Sequence, residues 1–541
     1  MRTIGVMGCA AVLCAVAALA ATATAAQATT APTACVASYA FAGPNHASGL
    51  ATAMTRLASE LTDQGVKVTL LHAGPVRNGD VATWTSKFNS AGLQYINVLQ
   101  RNGEQTAVAG SLAKVRSFRL FEWLAAHSTT CDVVHVHDYR GLGYMTLTAK
   151  AAGEASLQDV AVVVQAHGNT RMMHESNNVD HTTPEAMADE AMEAGSLAMA
   201  DLVTAPTQWY MQWLTTQGLL PTSTSTRVVP NVLPAELEGL AAGACTGDNK
   251  AAPAKALAFF GRQTELKGLN VFLDAVEQLC PATGATCAAS KILFVGPAAT
   301  LSSGRRSTDV INERCQSFSV PCEIVSHLSS TTAALQLLVK ERAVAVLPSL
   351  QEPAPSALVE CALAGVPVIA SNAGGLPEML AATSADSYFE AGSVRALVVR
   401  AGEALASPCS FRASPAASRD DTSAMWASVH TEAAAINMAS SAVSSVTTEA
   451  ARAMPVTVAI IGNFDSDECL AEPLACTTAM SSVVDTVRSL AAQTQAVSEV
   501  LAVVPTSHVE AAHGLDAALS GFVSHRVVGS DGTDVAAFMN T

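Results

Sequence analysis

Between Ala343 and Leu380 the chain reads AVAVLPSLQEPAPSALVECALAGVPVIASNAGGLPEML, and few folds accommodate such a segment. The apolar run Ala343 to Leu347 reads as a strand buried on both faces, and Pro348-Ser349 ends it. A loop then carries Glu352 up to Pro355, and a helix is expected from about Pro355 to Ala364. Proline suits a first helical turn because its missing N–H would be unpaired there anyway. Gly365 stops the helix, Val366 to Ala370 reads as a second buried strand, Asn372 to Gly375 as a loop, and Pro377 as the opening of a further helix. Strand, loop, helix, strand and glycine loop make the βαβ grammar of a parallel sheet, whose ligands sit at the carboxyl ends of the strands. The helix start offers free N–H groups and the positive end of a dipole to an anion. Glu352 in the loop and Glu360 one to two turns into the helix cannot bind phosphate, but they accept hydrogen bonds from sugar hydroxyls. The segment therefore suits a ligand that is half phosphate and half polyhydroxylated.

A second stretch supplies the opposite charge. Leu257 to Phe260 reads as a strand that delivers Arg262 and Lys267 into one loop, ahead of a helix from Leu269 to Leu279. Two cations at a strand's carboxyl end can neutralise a departing diphosphate without a metal. Earlier in the chain, Cys35 to Tyr39 reads as a strand, Gly43 to Gly49 as a loop containing His46, and Leu50 to Gln64 as an amphipathic helix. Asp132-Val-Val-His135-Val-His137-Asp138 ends a further strand with polar residues, and Val162 to Ala166 ends in His167-Gly168. The aromatic group Trp209, Tyr210 and Trp213 reads as helical core packing.

Glu352-x7-Glu360, followed by Ala364-Gly365-Val-Pro367 and Gly374-Gly375-Leu-Pro377-Glu378, resembles the donor site of retaining GT-B glycosyltransferases of family 4. Gly261-Arg262-x4-Lys267-Gly268 resembles the second signature of that family, and Asp132-x-x-His135-x-His137 another of its patterns. The resemblance spans about Cys35 to His430 and implies an α/β GT-B fold: two Rossmann-like doubly wound domains with a cleft between them. It further implies transfer of a sugar from a nucleotide-sugar donor with retention, to a glycan, lipid-linked or protein-linked acceptor, without a cofactor or metal. Arg262 and Lys267 would hold the diphosphate, Glu352 the donor sugar and Glu360 the ribose, with His167 completing the catalytic group. Gly374, Gly375, Gly49, Ser356 and Ala357 would join Glu360 in binding the donor, and His137 and Asp138 would face the acceptor side. The alternatives are a non-catalytic sugar-binding or scaffolding protein and a nucleotide-sugar epimerase.

The chain's 541 residues suffice for roughly three domains. A formal charge of -16 argues against nucleic acid as a partner. Arg2 followed by a small-apolar run and Ala26-Gln27-Ala28 reads as a signal peptide over residues 1–28. That leader implies the secretory-pathway lumen or export, and if uncleaved it would attach the chain to a membrane. The domains are then expected at 34–240 (acceptor side) and 241–410 (donor side). A returning helix at 411–436 and a linker at 437–454 follow. Cys280/Cys287, Cys315/Cys322 and Cys469/Cys476 share one spacing, and either local disulfides or buried thiols satisfy it. Residues 455–541 resemble the opening of a family 2, GT-A-type transferase, with strands at Pro455 to Ile461 and Glu499 to Val504 around a helix at Val483 to Ala492. The second strand leads into Val504-Pro-Thr-Ser507 instead of an acidic segment, so this partial α/β segment is expected to be non-catalytic.

Overall fold

A computed structural model describes residues 33–45, 48–100, 111–177, 179, 183–240, 245, 252–283, 287–328 and 330–447. It also describes three strands further on, at 456–461, 497–504 and 525–529. The chain divides into two compact units, Met1–Ser440 and Ser441–Thr541. His46, the leader and the Cys469/Cys476 pair lie outside the described residues, as does the helix expected at Val483 to Ala492.

The first unit holds two parallel sheets. The first is built from β1 (Thr33–Ser38), β2 (Lys67–His72), β3 (Gln94–Asn97), β4 (Val133–His137), β5 (Ala161–Gln165), β6 (Leu202–Ala205) and β7 (Thr226–Val228), in the order β3-β2-β1-β4-β5-β6-β7. The second is built from β8 (Ala256–Phe260), β9 (Lys291–Val295), β10 (Cys322–Val325), β11 (Ala343–Leu347), β12 (Val368–Ser371) and β13 (Tyr388–Phe389), in the order β10-β9-β8-β11-β12-β13. The central strands are continuous apolar runs such as AVVVQ, ALAFF and AVAVL, buried along their whole length. Such runs require cover on both faces, which the crossover helices provide. Each sheet accordingly has two apolar clusters, one per face.

Each strand order reverses once, between β1 and β4 in the first sheet and between β8 and β11 in the second. At such a reversal the helices on either side diverge and leave a crevice at the strands' carboxyl ends. Tyr39 and His137-Asp138 stand at one reversal, and the loops bearing Lys267 and Glu352 at the other.

The chain returns to the first sheet through the helix Arg419–Thr447. Trp426 and Val429 are buried against that sheet's cluster, and Trp426 Nε1 donates to the Pro230 carbonyl at 2.9 Å. Two details differ from the sequence reading. Pro377 lies in a three-residue 3₁₀ turn, Leu376–Glu378, instead of opening an α-helix; it is closed by Glu378 N–H on the Gly375 carbonyl, and Leu380 then bridges to Pro415. Disulfides join not only Cys280–Cys287 and Cys315–Cys322 but also Cys35–Cys131 and Cys245–Cys409, while Cys361 is a buried free thiol. In the second unit, β14 (Val456–Ile461), β15 (Val497–Val504) and β16 (His525–Gly529) form a parallel sheet in that order. No helix among the described residues is long and apolar enough to cross a membrane.

Candidate active site

The site begins with a close approach of two loops. After β8 the backbone turns at Gly268, where φ is +73° and a Cβ would collide with the Pro348 carbonyl. Glycine alone allows the Lys267 loop to lie against the end of β11. Leu350 N–H donates to the Leu266 carbonyl at 2.8 Å and fixes the two loops together. Lys267 Nζ thereby stands 2.5 Å from Glu352 Oε1, which also accepts from Ser349 Oγ at 2.7 Å. Ser371 Oγ, at the end of β12, donates to the Ser349 carbonyl at 2.5 Å, so Glu352 is braced from the neighbouring strand.

Gly374 and Gly375 pack against the backbone of the same glutamate. Gly375 N–H donates to the Glu352 carbonyl at 2.9 Å, and Gly374 has φ +58° with no room for a Cβ beside that carbonyl. Arg262, in the Lys267 loop, is exposed and has no ion-pair partner among the described residues. The site thus holds one paired cation, one unpaired cation and a braced carboxylate.

Glu360 is buried on the helix Ser356–Ala364 and meets Arg56 Nη1 at 2.9 Å. Burial pushes its carboxyl above the usual range, and the Arg56 guanidinium works against that. Arg56 belongs to the helix Gly49–Asp63 of the first domain, so this pair joins the two sheets' domains. Sequence reading missed Arg56, and its only signal was its place on the helix that follows the first glycine loop. Ser356, Glu360 and Arg56 line a pocket together with Asn231, Leu233 and Pro415. Ala357 is half-buried against the apolar cluster beneath. Gly49 is exposed at the start of its helix, with nothing crowding the place of a Cβ.

His167 follows β5. Its backbone N–H donates to Asp138 Oδ1 at 2.9 Å, and its Nε2 lies 3.2 Å from Gln165 Oε1. Burial lowers its pKa to about 4, so the ring is neutral at pH 7. His137 and Asp138, expected on the open acceptor side, are instead fully buried. The strand end turns them inward: His137 Nε2 accepts from Tyr39 N–H at 3.1 Å, and Asp138 also accepts from Tyr210 OH at 3.3 Å. They hold the β1, β4 and β5 loops in place. Tyr210 is itself fully buried, with Trp209 and Trp213 packed on the same cluster.

Glu193 on the helix Pro184–Met199 carried no sequence signal beyond being one acid among several. It is buried and accepts from Arg140 N–H at 2.6 Å, Thr170 N–H at 2.9 Å and Thr170 Oγ1 at 2.6 Å. It therefore ties the loop after β4 to the loop after β5. Glu378 was quoted only as part of a motif. Its carboxylate takes Gln208 N–H at 2.6 Å and Trp209 N–H at 2.7 Å, capping the Gln208–Thr216 helix across the domain boundary. Thr207 Oγ1 donates to the Pro353 carbonyl at 2.9 Å beside it.

Residues 48–232 match the family model of the glycosyl transferase 4-like domain, and residues 254–407 that of glycosyl transferases group 1. No curated protein matches the sequence. Among solved structures, sucrose-phosphate synthase from Thermosynechococcus elongatus is 18% identical, with 77% of this chain and 100% of that chain covered at a TM-score of 0.52. Anabaena HepE in complex with UDP and glucose is 15% identical, with 77% and 100% covered at 0.46. The catalytic domain of starch synthase IV from Arabidopsis thaliana, bound to ADP and acarbose, is 12% identical, with 76% and 99% covered at 0.48.

Proposed function

The chain is a glycosyltransferase of the GT-B fold, and from that premise we propose that it moves a sugar from a nucleotide-sugar donor to an acceptor hydroxyl with retention of configuration. The observation that carries this reading is the Lys267–Glu352 pair at the reversal of the second sheet, with Arg262 exposed in the same loop. The donor diphosphate lies between Arg262 and Lys267, the donor sugar against Glu352 and the ribose against Glu360. When the bond from the anomeric carbon to the diphosphate oxygen breaks, negative charge grows on that oxygen. In this reading Lys267 and Arg262 offset it. The departing oxygen takes the proton from the acceptor hydroxyl, which bonds to the same face of the sugar. Glu352 is held by Lys267 and Ser349 and acts by positioning.

His167 serves as a neutral hydrogen-bonding group, because burial denies it a proton at pH 7. The cationic loop makes a metal unnecessary for leaving-group stabilisation. The four disulfides among the described residues support residence in an oxidising compartment, such as the secretory lumen or the cell exterior. The testing experiment incubates the protein with a panel of nucleotide sugars and mixed acceptors, then reads the product's anomeric proton coupling by NMR. A product with the donor's anomeric configuration is expected, and an inverted product would overturn retention.

A further inference from the structure

Three arginines gather at the carboxyl ends of adjacent strands in the first sheet, in a chain whose formal charge is -16. Arg77 lies in the loop after β2, Arg140 in the loop after β4, and Arg116 reaches in from the helix Leu112–Ala126. Arg116 Cζ sits 5.0 Å from the ring centre of Tyr39, the residue after β1. Arg140 Cζ sits 5.3 Å from the ring of Tyr139, and Tyr39 OH donates to the Arg140 carbonyl at 3.2 Å. The charges of Arg140 and Arg77 both bear on Arg116.

Little offsets this positive charge. Arg116 has no carboxylate partner among the described residues, and its Nε is buried without a hydrogen bond. Arg140 turns its Nε toward Asp189 Oδ2 at 3.3 Å, without hydrogen-bond geometry. Glu193, the other acid nearby, is taken up by backbone N–H groups and Thr170. Arg140 is held at φ +55°, an uncommon conformation for a side-chain-bearing residue, by the Glu193 bond to its N–H. Strain of that kind collects where a side chain must be aimed. Half-buried, mutually repelling guanidiniums, with the buried Arg116 Nε–H left open, are arranged for an anion of several oxygens.

We propose that this cluster is an acceptor subsite for a phosphate group, so that the acceptor is a phosphate-bearing molecule. The term acceptor rests on the glycosyl-transfer reading above. Strands lie about 4.8 Å apart, so the ends of β1 and β5, separated by β4, stand roughly 10 Å apart. A phosphate at Arg116 and Arg140 is then about 10 Å, the length of a phosphorylated sugar, from His167. The phosphate could reside on a soluble sugar or on a lipid headgroup, since both present the same oxygens.

The test is calorimetric titration of the full chain, without donor, against hexose 1- and 6-phosphates, the parent hexoses, and phosphatidylinositol in phosphatidylcholine vesicles. The phosphate-bearing ligands of one source should bind, the hexoses should not, and Arg116→Met should weaken that binding about 10- to 100-fold. Arg119→Met, on the same helix but paired with Glu122 at 2.7 Å, is the control and should leave binding unchanged. Melting curves for both variants separate lost binding from lost folding. If no phosphate-bearing ligand binds better than its parent sugar or plain vesicles, or if Arg116→Met binds as tightly as the wild type, the proposal fails. Absence of nucleotide release from any donor would count against the transferase reading alone, because this titration needs no turnover.

Discussion

Arg56 on the first domain and Glu360 on the second stand 2.9 Å apart, with side-chain exposures of 16% and 4%. Two charges removed from water in this way are costly unless each keeps the other. The Arg56→Ala variant should therefore lose about 3–5 kcal/mol of stability through the unpaired carboxylate. Arg56→Ala with Glu360→Ala should recover much of that loss. Urea unfolding of the two single variants and the double variant measures the coupling, and strict additivity would contradict it.

Glu193 makes stability depend on pH with a definite sign. Burial pushes its pKa up from 4.5 to about 8 in the folded protein. Between those two values the folded chain holds one more proton than the unfolded chain, so raising the pH favours unfolding. Its contribution should fall from about pH 4.5 to about pH 8, and Glu193→Gln should flatten this part of the profile. Chemical denaturation at pH 5, 6.5 and 8 reads the slope, where a wild type and variant of equal slope would contradict the assignment.

His167 predicts a featureless region in the rate profile. Its folded pKa is lowered from 6.5 to about 4 by burial, so it carries no charge across neutral pH. Turnover should show no histidine-like inflection near pH 6.5 that His167→Gln removes. Stability, by the same shift, should decline as the pH falls from 6.5 toward 4, because the unfolded chain binds the proton more readily.

The disulfide Cys245–Cys409 closes a span of 164 residues. Restricting so long a loop in the unfolded chain contributes about 5 kcal/mol in the chain-entropy account. The Cys245→Ser, Cys409→Ser protein should unfold at clearly lower urea concentration than the wild type under non-reducing conditions. Equal midpoints would show that the link adds little.

Much of the fold is legible in local pattern. Runs such as Ala343 to Leu347 and Leu257 to Phe260 can be satisfied only as doubly covered parallel strands, and β11 and β8 are those runs to within a residue. The Lys267 and Glu352 loops are legible for the same reason, since each follows such a strand. What was not legible is set by topology. Arg56 meets Glu360 across 304 residues, and Cys35 meets Cys131 across 96, and no local spacing encodes either encounter. His137 and Asp138 misled because polar residues at a strand end usually face the crevice, whereas here the Tyr39 and His167 backbone N–H groups claim them. Glu193 offered no pattern at all, since its importance comes from the two loops that converge on it.

The most direct measurement is turnover of a cleaved nucleotide-sugar donor by Lys267→Ala beside the wild type, each checked for intact folding by its melting curve. Removing the cation that faces Glu352 should lower turnover on the order of 10²-fold. Near-normal turnover in a folded Lys267→Ala protein would contradict the placement of the departing diphosphate at this loop.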